Sequence, residues 1–257
     1  MRTRNQKLLK FIPVNNDLNK AIAFANTLDV NNIKNVQRIK MKEFYIPTIE
    51  VVKKLQDEGW NISGVNEQRG KNRKITNNYV QMQHPDFAMK NANGKNEALA
   101  SLTITNSCNG SKPLSLDLGM YRQVCSNGMI AFDQAAESET IKHIQVNYNN
   151  LDNFISNVNR KTSIVLNEFE KLKHTNLSVQ EMQKLAYEAA QLRYSNLDDI
   201  DINDLLSVNR IEDEGNDLWT VFNRIQENLI GDVANLNEDI RLNKQLFSLA
   251  NQYALAV

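Results

Sequence analysis

A short basic stretch carries the residues whose chemistry best suits a ligand. Cationic side chains neutralise phosphates, and aromatic rings offer faces on which bases stack. This combination predicts a nucleic-acid contact at a hairpin tip. The alternative is that a polar tip is basic by chance and that the aromatic residue directly after a helix end belongs to the core. The residues concerned are Arg69, Lys71, Arg73 and Lys74, flanked by Trp60 and Tyr79.

Carboxylates gather in two clusters in the second half of the chain. Such runs can collect divalent cations for a nuclease, whereas in a linker they more often form a solvated face or a helix N-terminal charge. We favour the second interpretation. The clusters are Asp198, Asp199, Asp201 and Asp204, then Glu212, Asp213, Glu214 and Asp217.

No spacing typical of a metal centre, an activated nucleophile or a cofactor site is present. His84, His143 and His174 are far apart, and the CxxC, HExxH, GxSxG, P-loop and GxGxxG patterns are absent. Cys108 is predicted at a hairpin tip and Cys125 near its open end, so we expect no disulfide between them. We therefore expect no cofactor and no metal, and we favour a protein without catalytic residues.

Composition predicts a globular protein. The 257 residues are 41% hydrophobic, with nine Gly, four Pro and two Cys, which argues against fibrous and disordered classes. No apolar run approaches the roughly 18 residues that a membrane span needs. The basic start leads into neither a hydrophobic stretch nor a cleavage site, and two cysteines fit a reducing compartment. We expect a cytoplasmic protein with no membrane partner.

The neutral total of 30 basic and 30 acidic residues conceals two opposed parts. Residues 1–80 hold 15 Lys and Arg against 7 Asp and Glu, a net charge of +8, and the remainder carries −8. A basic segment of this kind can face a phosphate-bearing partner. It can equally dock on the acidic part of its own fold, and charge alone does not choose.

Hydrophobic periodicity predicts an α+β fold. Helices are expected over 17–28 and from Pro47 to Gly59, followed by an antiparallel sheet of about four strands. Asn109-Gly110 is a strong hairpin signal between the last two strands. The predicted strands are Trp60–Ser63, Tyr79–Met82, Ala98–Thr105 and Leu114–Val124.

The second half has the 3.6-residue period of helices. A capping box opens at Ser178, and Asp217 and Gly231 bracket a further helix. We expect a basic sheet-containing region over 1–135 and a helical region over 136–257, or one composite domain. The predicted helices run from Asp152 to His174, Ser178 to Tyr194, Asp217 to Gly231 and Ile240 to Ala256.

Two stretches resemble the phage- and plasmid-related family called domain of unknown function 932. NSCNGSKPLSLDLGMYRQVCSNGMIAF resembles its signature of NSHDG, a strand and G-x-(F/Y)-R-x-V-C-(S/T)-N-G, and SVNRIEDEGNDLWTVFNRIQENLIG is similar to its later R-x-x-D, DLW and FN-x-x-QEN block. The closing LNKQLFSLA resembles its last helix, so the resemblance spans roughly Ala98 to the C-terminus. The matching positions are Asn106, Ser107, Gly110, Arg122, Cys125, Asn127 and Gly128, then Arg210, Asp213, Trp219, Asn223, Gln226, Glu227 and Asn228.

The chain departs from that signature where Cys108 and Asn109 replace its His and Asp. Chemistry that depends on the His-Asp pair is therefore not expected here. Helical spacing aligns Asn223, Gln226 and Glu227 on one stripe, which either holds a hydrogen-bond network or lines a groove.

The order of helix, strand, basic hairpin and second hairpin is similar, in topology only, to the core of strand-annealing proteins such as phage recombinases of the Redβ and RecT kind. From the +8 charge of the first part and the resemblance to a phage- and plasmid-related family, we expect a phage- or plasmid-encoded, non-enzymatic protein that binds nucleic acid, in particular single-stranded DNA, and assists annealing or recombination. Arg122 would join the hairpin cations on phosphates. The alternative is a virion component or counter-defence factor that binds a protein partner. Either protein could form a homo-oligomer.

Overall fold

The computed structural model describes residues 12–13, 46–69, 75–91, 93–107, 113–122, 128–130, 139–141, 148–198 and 200–256. The helix predicted over 17–28 lies outside them. The α+β class is confirmed, with helices on both sides of an antiparallel sheet and a mostly helical C-terminal half. The helices are α1 (Thr48–Asp57), α2 (Tyr148–His174), α3 (Val179–Arg193), α4 (Ile202–Leu205), α5 (Leu218–Ile230) and α6 (Leu236–Ala256). The strands are β1 (Ile12–Pro13), β2 (Asn61–Arg69), β3 (Ile75–Lys90), β4 (Asn96–Ser107), β5 (Leu114–Arg122), β6 (Gly128–Ile130) and β7 (Glu139–Ile141).

Helix α1 begins and ends where the sequence predicts. Pro47 occupies the N-cap position with φ −65°, and Gly59 follows the helix with φ +93°, a conformation that favours glycine. Val52 and Leu55 lie on the buried face of the helix and join the core. The helix is thereby fixed against the sheet, and Trp60 begins the turn into β2.

Four long strands, β2 to β5, form the centre of the sheet in sequence order, with β1 at one edge and β6 and β7 beside β5. In register across three strands, Met82, Leu102 and Leu118 lie on one face and are buried in the core. The alternate residues belong to the opposite face, which is polar. Its central residues, such as Thr103 and Asp117, are nevertheless buried.

The C-terminal helices pack around a group of aromatic side chains. The rings of Phe169 on α2 and Phe247 on α6 lie 4.3 Å apart, and Trp219 on α5 meets Phe169 edge to face at 5.7 Å. Buried apolar side chains from Ile46 to Ala250 form one contiguous cluster that includes both sheet and helices. The division of the chain near residue 135 stays a prediction.

Helix starts follow local capping chemistry. The predicted capping box at Ser178 is present, and the carboxylate of Asp217 accepts from the backbone N–H of Thr220 at 3.0 Å. Helix α6 begins earlier than predicted because the side chain of Asn235 accepts from the backbone N–H of Asn237 at 3.0 Å. Among the described helices, none combines the length and apolarity required to cross a bilayer.

Candidate functional site

The predicted basic hairpin is formed by β2 and β3. The strands pair antiparallel, and the last paired residues before the connection are Arg69 and Ile75. Lys71, Arg73 and Lys74 belong to the connection and lie outside the described residues, as does the side chain of Arg69. The strand pairing therefore brings the two ends of this basic connection together at one end of the sheet.

The two aromatic residues that flank the basic stretch are buried. The indole N–H of Trp60 donates to Asn159 at 3.1 Å, and its ring meets His84 edge to face at 5.5 Å. The hydroxyl of Tyr79 donates to Asn237 at 3.1 Å, and burial raises the pKa of this phenol. Both rings lack the exposed face that base stacking requires. The prediction that Trp60 and Tyr79 stack on bases is therefore wrong.

Arg122 is also buried, with 1% of its side chain exposed. Its guanidinium forms an ion pair with Asp213, donates to the carbonyl oxygen of Glu212 at 3.3 Å and lies 5.9 Å from the centre of the Trp219 ring. A guanidinium so enclosed cannot reach a phosphate backbone on the surface. The expected phosphate contact at Arg122 is therefore replaced by a structural ion pair.

Glu97, near the start of β4, extends the charged group on the other side of Arg122. Its carboxylate accepts from Lys173 of α2 at 2.7 Å and from the indole N–H of Trp219 at 2.6 Å, and Arg122 lies 3.6 Å away. Burial would raise the pKa of Glu97, but the hydrogen bonds from Lys173 and Trp219 and the charges of Lys173 and Arg122 together hold that pKa below its ordinary value.

Arg210 continues the charged group towards α5. Its guanidinium pairs with both carboxylate oxygens of Glu227, at 2.5 and 2.7 Å, and lies 3.4 Å from Asp213. A pair held at two points fixes the orientation of the guanidinium relative to the carboxylate as well as the distance between them. We call the whole set the ionic network. It comprises Glu97, Arg122, Lys173, Arg210, Asp213 and Glu227, and Trp219 contacts Glu97 and Arg122.

The side chains of the polar stripe on α5 form hydrogen bonds within the protein, as the network alternative predicted, and they do not line an open groove. Asn223 donates to the backbone carbonyl of Trp219 at 2.8 Å, and Gln226 donates to Asn243 of α6 at 3.0 Å. Glu227, the third member of the stripe, pairs with Arg210. The next residue, Asn228, donates to the carbonyl oxygens of Leu205 and Ser207 at 3.2 and 2.9 Å. The stripe therefore joins α5 to α6 and to the segment that precedes α5.

Asn106 belongs to a second polar group at the hairpin end of the sheet. Its amide donates to the carbonyl oxygen of Ile46 at 2.9 Å and to the hydroxyl of Thr48 at 3.0 Å, and Thr48 donates to Asn78 at 2.8 Å. Ser107 donates its backbone N–H to Asn106 at 2.9 Å. These bonds hold the start of α1 against β3 and β4.

The remaining motif positions divide into two groups. Gly128 begins β6 and pairs with Tyr121 of β5. Gly110, Cys125 and Asn127 lie outside the described residues, as do Cys108 and Asn109. The region around the departure from the NSHDG pattern is thus not part of the described geometry.

Several residues of the two acidic clusters cap helices or form ion pairs. Asp201 caps α4 by accepting from the backbone N–H of Asn203 at 2.9 Å, Asp217 caps α5, and Asp213 is paired within the ionic network. Within the described ranges, no three His, Cys, Asp or Glu side chains are placed to hold a metal ion. The arrangement of these carboxylates is that of caps and ion pairs.

Sequence reasoning did not identify Glu97 and Lys173 as part of the charged group. Glu97 is an acidic residue directly before a buried strand run, and Lys173 lies in the last turn of a helix, where basic residues are ordinary. Only the fold, which places the end of α2 beside the start of β4, joins the two.

Comparisons with known proteins agree with the motifs. The profile of the family described as "Domain of unknown function (DUF932)" matches residues 44–247. The UPF0380 protein YfjQ of Escherichia coli strain K12 is 26% identical over an alignment of 233 residues, with 80% of each chain covered. The UPF0380 protein YafZ of the same strain is 25% identical with the same coverage. No solved structure matches significantly.

Proposed function

This chain belongs to the family described as a domain of unknown function (DUF932), and we propose that it binds single-stranded DNA through the β2–β3 hairpin without catalysing a reaction. In this proposal it assists strand annealing or recombination of a phage or plasmid in the bacterial cytoplasm. The contact residues are Arg69, Lys71, Arg73 and Lys74.

The observation that carries the proposal is the pairing of Arg69 with Ile75. Because those residues are neighbours, the connection from 70 to 74 is confined to one end of the hairpin, and three of its five residues are basic. The next hairpin turns at the same end, since Asn77 of β3 pairs with Ser107 of β4. Its connection, 108–112, adds Lys112 and no acidic residue.

Between described residues, one ion pair joins residues 1–80 to the rest of the chain, and it links Lys54 to Asp152 at 2.5 Å. Both side chains are about half exposed, so this pair contributes little. Within the acidic remainder, some carboxylates pair with cations of the same part, for example Asp232 with Arg193 and Asp117 with Lys244.

Fluorescence anisotropy with a labelled single-stranded oligonucleotide tests the proposal. Each phosphate contact to a single strand contributes about 0.7 to the slope of log affinity against log salt, so four contacts predict a slope of about −3. Affinity should then fall about 50-fold between 50 and 200 mM salt. Absence of binding at low salt, or affinity indifferent to salt, would overturn the proposal. Cleavage of the oligonucleotide in the presence of Mg²⁺ would instead indicate a nuclease.

A further inference from the structure

A closed surface loop lies between α4 and α5. The guanidinium of Arg224, on α5, donates to the carbonyl oxygen of Leu206, where this loop begins, and to that of Gly215, where it ends. One side chain therefore holds the two ends of the segment together. Joined ends are the defining geometry of an Ω-loop, a class of surface loop that is frequently functional. We call residues 206–215 the clamped loop.

Burial of Arg224 makes this clamp costly. The residue is 8% exposed, its Nε has no hydrogen-bond partner within the described part of the chain, and burial lowers its pKa. The charges of Asp213 and Asp217 oppose that effect, but neither carboxylate forms an ion pair with Arg224. A buried guanidinium without a paired carboxylate is unfavourable. The fold therefore keeps the shape of this surface loop at a cost in stability.

Further polar contacts fix both arms of the clamped loop. On the first arm, Asn228 donates to the carbonyl oxygen of Ser207 at 2.9 Å and accepts from the side chain of Asn209 at 2.6 Å. On the second arm, Arg210 and Asp213 are paired within the ionic network. The side chains that point outwards are therefore carried by a backbone that is already held in place.

The outward side chains of the clamped loop combine apolar and acidic groups. Ile211, in the middle of the loop, is 77% exposed, and Val208 is 45% exposed. Glu212 and Glu214 are exposed too, and neither forms an ion pair with another described residue. The single cation of the loop, Arg210, is paired with carboxylates of the ionic network. The outer surface is therefore apolar at its centre and negatively charged beside it.

The charge of this surface selects the class of partner. Glu212 and Glu214 repel nucleic acid and anionic lipid headgroups. A basic protein surface suits both features of the loop, because its Lys and Arg side chains meet the carboxylates while its apolar groups cover Ile211 and Val208. We propose that the clamped loop is the docking site for a partner protein whose contact surface is basic and partly apolar. A loop that is ordered before docking lowers the entropic cost of association.

The clamped loop lies at the end of the sheet opposite to the β2–β3 connection. Asp213 of the loop pairs with Arg122, which lies opposite Ala98 near the start of β4. The β2–β3 connection instead lies towards the end of β4, where Ser107 pairs with Asn77. The partner protein and DNA therefore contact different ends of the sheet, and the docking site does not depend on DNA binding.

A labelled synthetic peptide of lysine and leucine, spaced as in an amphipathic helix, is the probe for this site. Fluorescence anisotropy measures its binding to the full chain in the absence of nucleic acid. The wild type should bind the peptide at low salt, and V208S/I211S should raise the dissociation constant about tenfold because the apolar contact is lost. E212Q/E214Q should weaken binding at low salt and have little effect at high salt. Amide hydrogen exchange in residues 206–215 should slow when the peptide binds.

Two variants at other exposed positions are matched controls. Leu255→Ser replaces an apolar side chain that is 76% exposed on α6, outside the loop. E50Q/D57Q removes two exposed carboxylates of α1 and changes the net charge as E212Q/E214Q does. Both control variants should bind the peptide as the wild type does.

An oligolysine peptide of the same length separates charge attraction from apolar docking. Its binding should be weaker than that of the lysine-leucine peptide and should not respond to V208S/I211S. A wild type that does not bind the lysine-leucine peptide at low salt overturns the proposal. It is also overturned if the two loop variants bind that peptide as tightly as the control variants do.

Discussion

Arg122, the last residue of β5, and Asp213, in the short turn before α5, form an ion pair with both side chains 1% exposed. The two residues are 91 positions apart in sequence. Their pairing therefore joins the sheet to the helical part of the protein at a point that water does not reach. It also brings the two sequence blocks that resemble the family motif into direct contact.

Breaking this pair on one side should be costly. Asp213→Ala leaves a buried guanidinium without its main counter-charge, and we expect a loss of about 3–5 kcal/mol in the free energy of unfolding. The double variant Arg122→Met/Asp213→Leu removes both charges and should lose less than the single variant. Urea unfolding measures each value, and a double variant that loses as much stability as Asp213→Ala, or more, would contradict a buried, coupled pair.

The exposed pair of Lys54 and Asp152 is the matched control. These side chains meet at 2.5 Å but are 42% and 54% exposed. Asp152→Ala should cost no more than about 1 kcal/mol, because solvent screens the pair. A cost comparable with that of Asp213→Ala would mean that burial is not what makes the Arg122 pair important.

The lowered pKa of Glu97 predicts that the folded state loses stability at acid pH. Its folded-state pKa lies below the ordinary 4.5, so its carboxylate stabilises the fold at pH values above the unfolded pKa. That contribution is lost as the pH falls through the lowered folded pKa. The wild type should be more stable than Glu97→Gln at pH 7, and the difference should shrink below pH 4.5. Unfolding midpoints measured across this range check the sign, which would be contradicted by a difference that grows towards acid pH.

Gly59 and Gly94 test steric and backbone effects separately. Both have positive φ, +93° and +73°, so an alanine at either site costs about 1–2 kcal/mol in backbone energy. At Gly59 a Cβ would also lie 2.7 Å from Nε2 of His84, whereas at Gly94 nothing lies within 4 Å. Gly59→Ala should therefore destabilise more than Gly94→Ala in chemical unfolding. Equal losses would show that His84 moves aside without cost.

The elements of the fold follow closely from local sequence signals. Pro47 and Gly59 bound α1, Ser178 opens α3, and alternation from Ala98 to Thr105 marks β4. These signals act over a few residues, so a sequence displays them directly. They predict the long helices and the four central strands of the antiparallel sheet, although β3 extends from Ile75 to Lys90, well beyond the predicted Tyr79–Met82.

The contacts of individual polar residues depended on long-range packing and could not be predicted in the same way. Arg122 reads as a surface cation because its neighbours in sequence do not reveal Asp213 or Glu97. Trp60 could be core or stacking platform until Asn159 and His84 are placed around it. Whether a polar side chain is buried depends on partners that are distant in sequence. The basic hairpin could therefore be predicted from a local motif, whereas the ionic network could not.

The most direct test of the central claim compares two variants that remove equal charge from different places. The first is R69Q/K71Q/R73Q/K74Q in the hairpin. The second is K53Q/K90Q/K95Q/R160Q, whose four side chains are exposed and have no carboxylate partner among the described residues. Because both variants lower the net charge equally, long-range electrostatics changes alike and only local contacts differ.

Binding of a labelled single-stranded oligonucleotide is measured by anisotropy as a function of salt for both variants and the wild type. The hairpin variant should lose most of its affinity and flatten the salt slope by about 3, while the control should keep a slope close to that of the wild type. Equal losses in the two variants, or an unaffected hairpin variant, would contradict DNA binding at the β2–β3 hairpin.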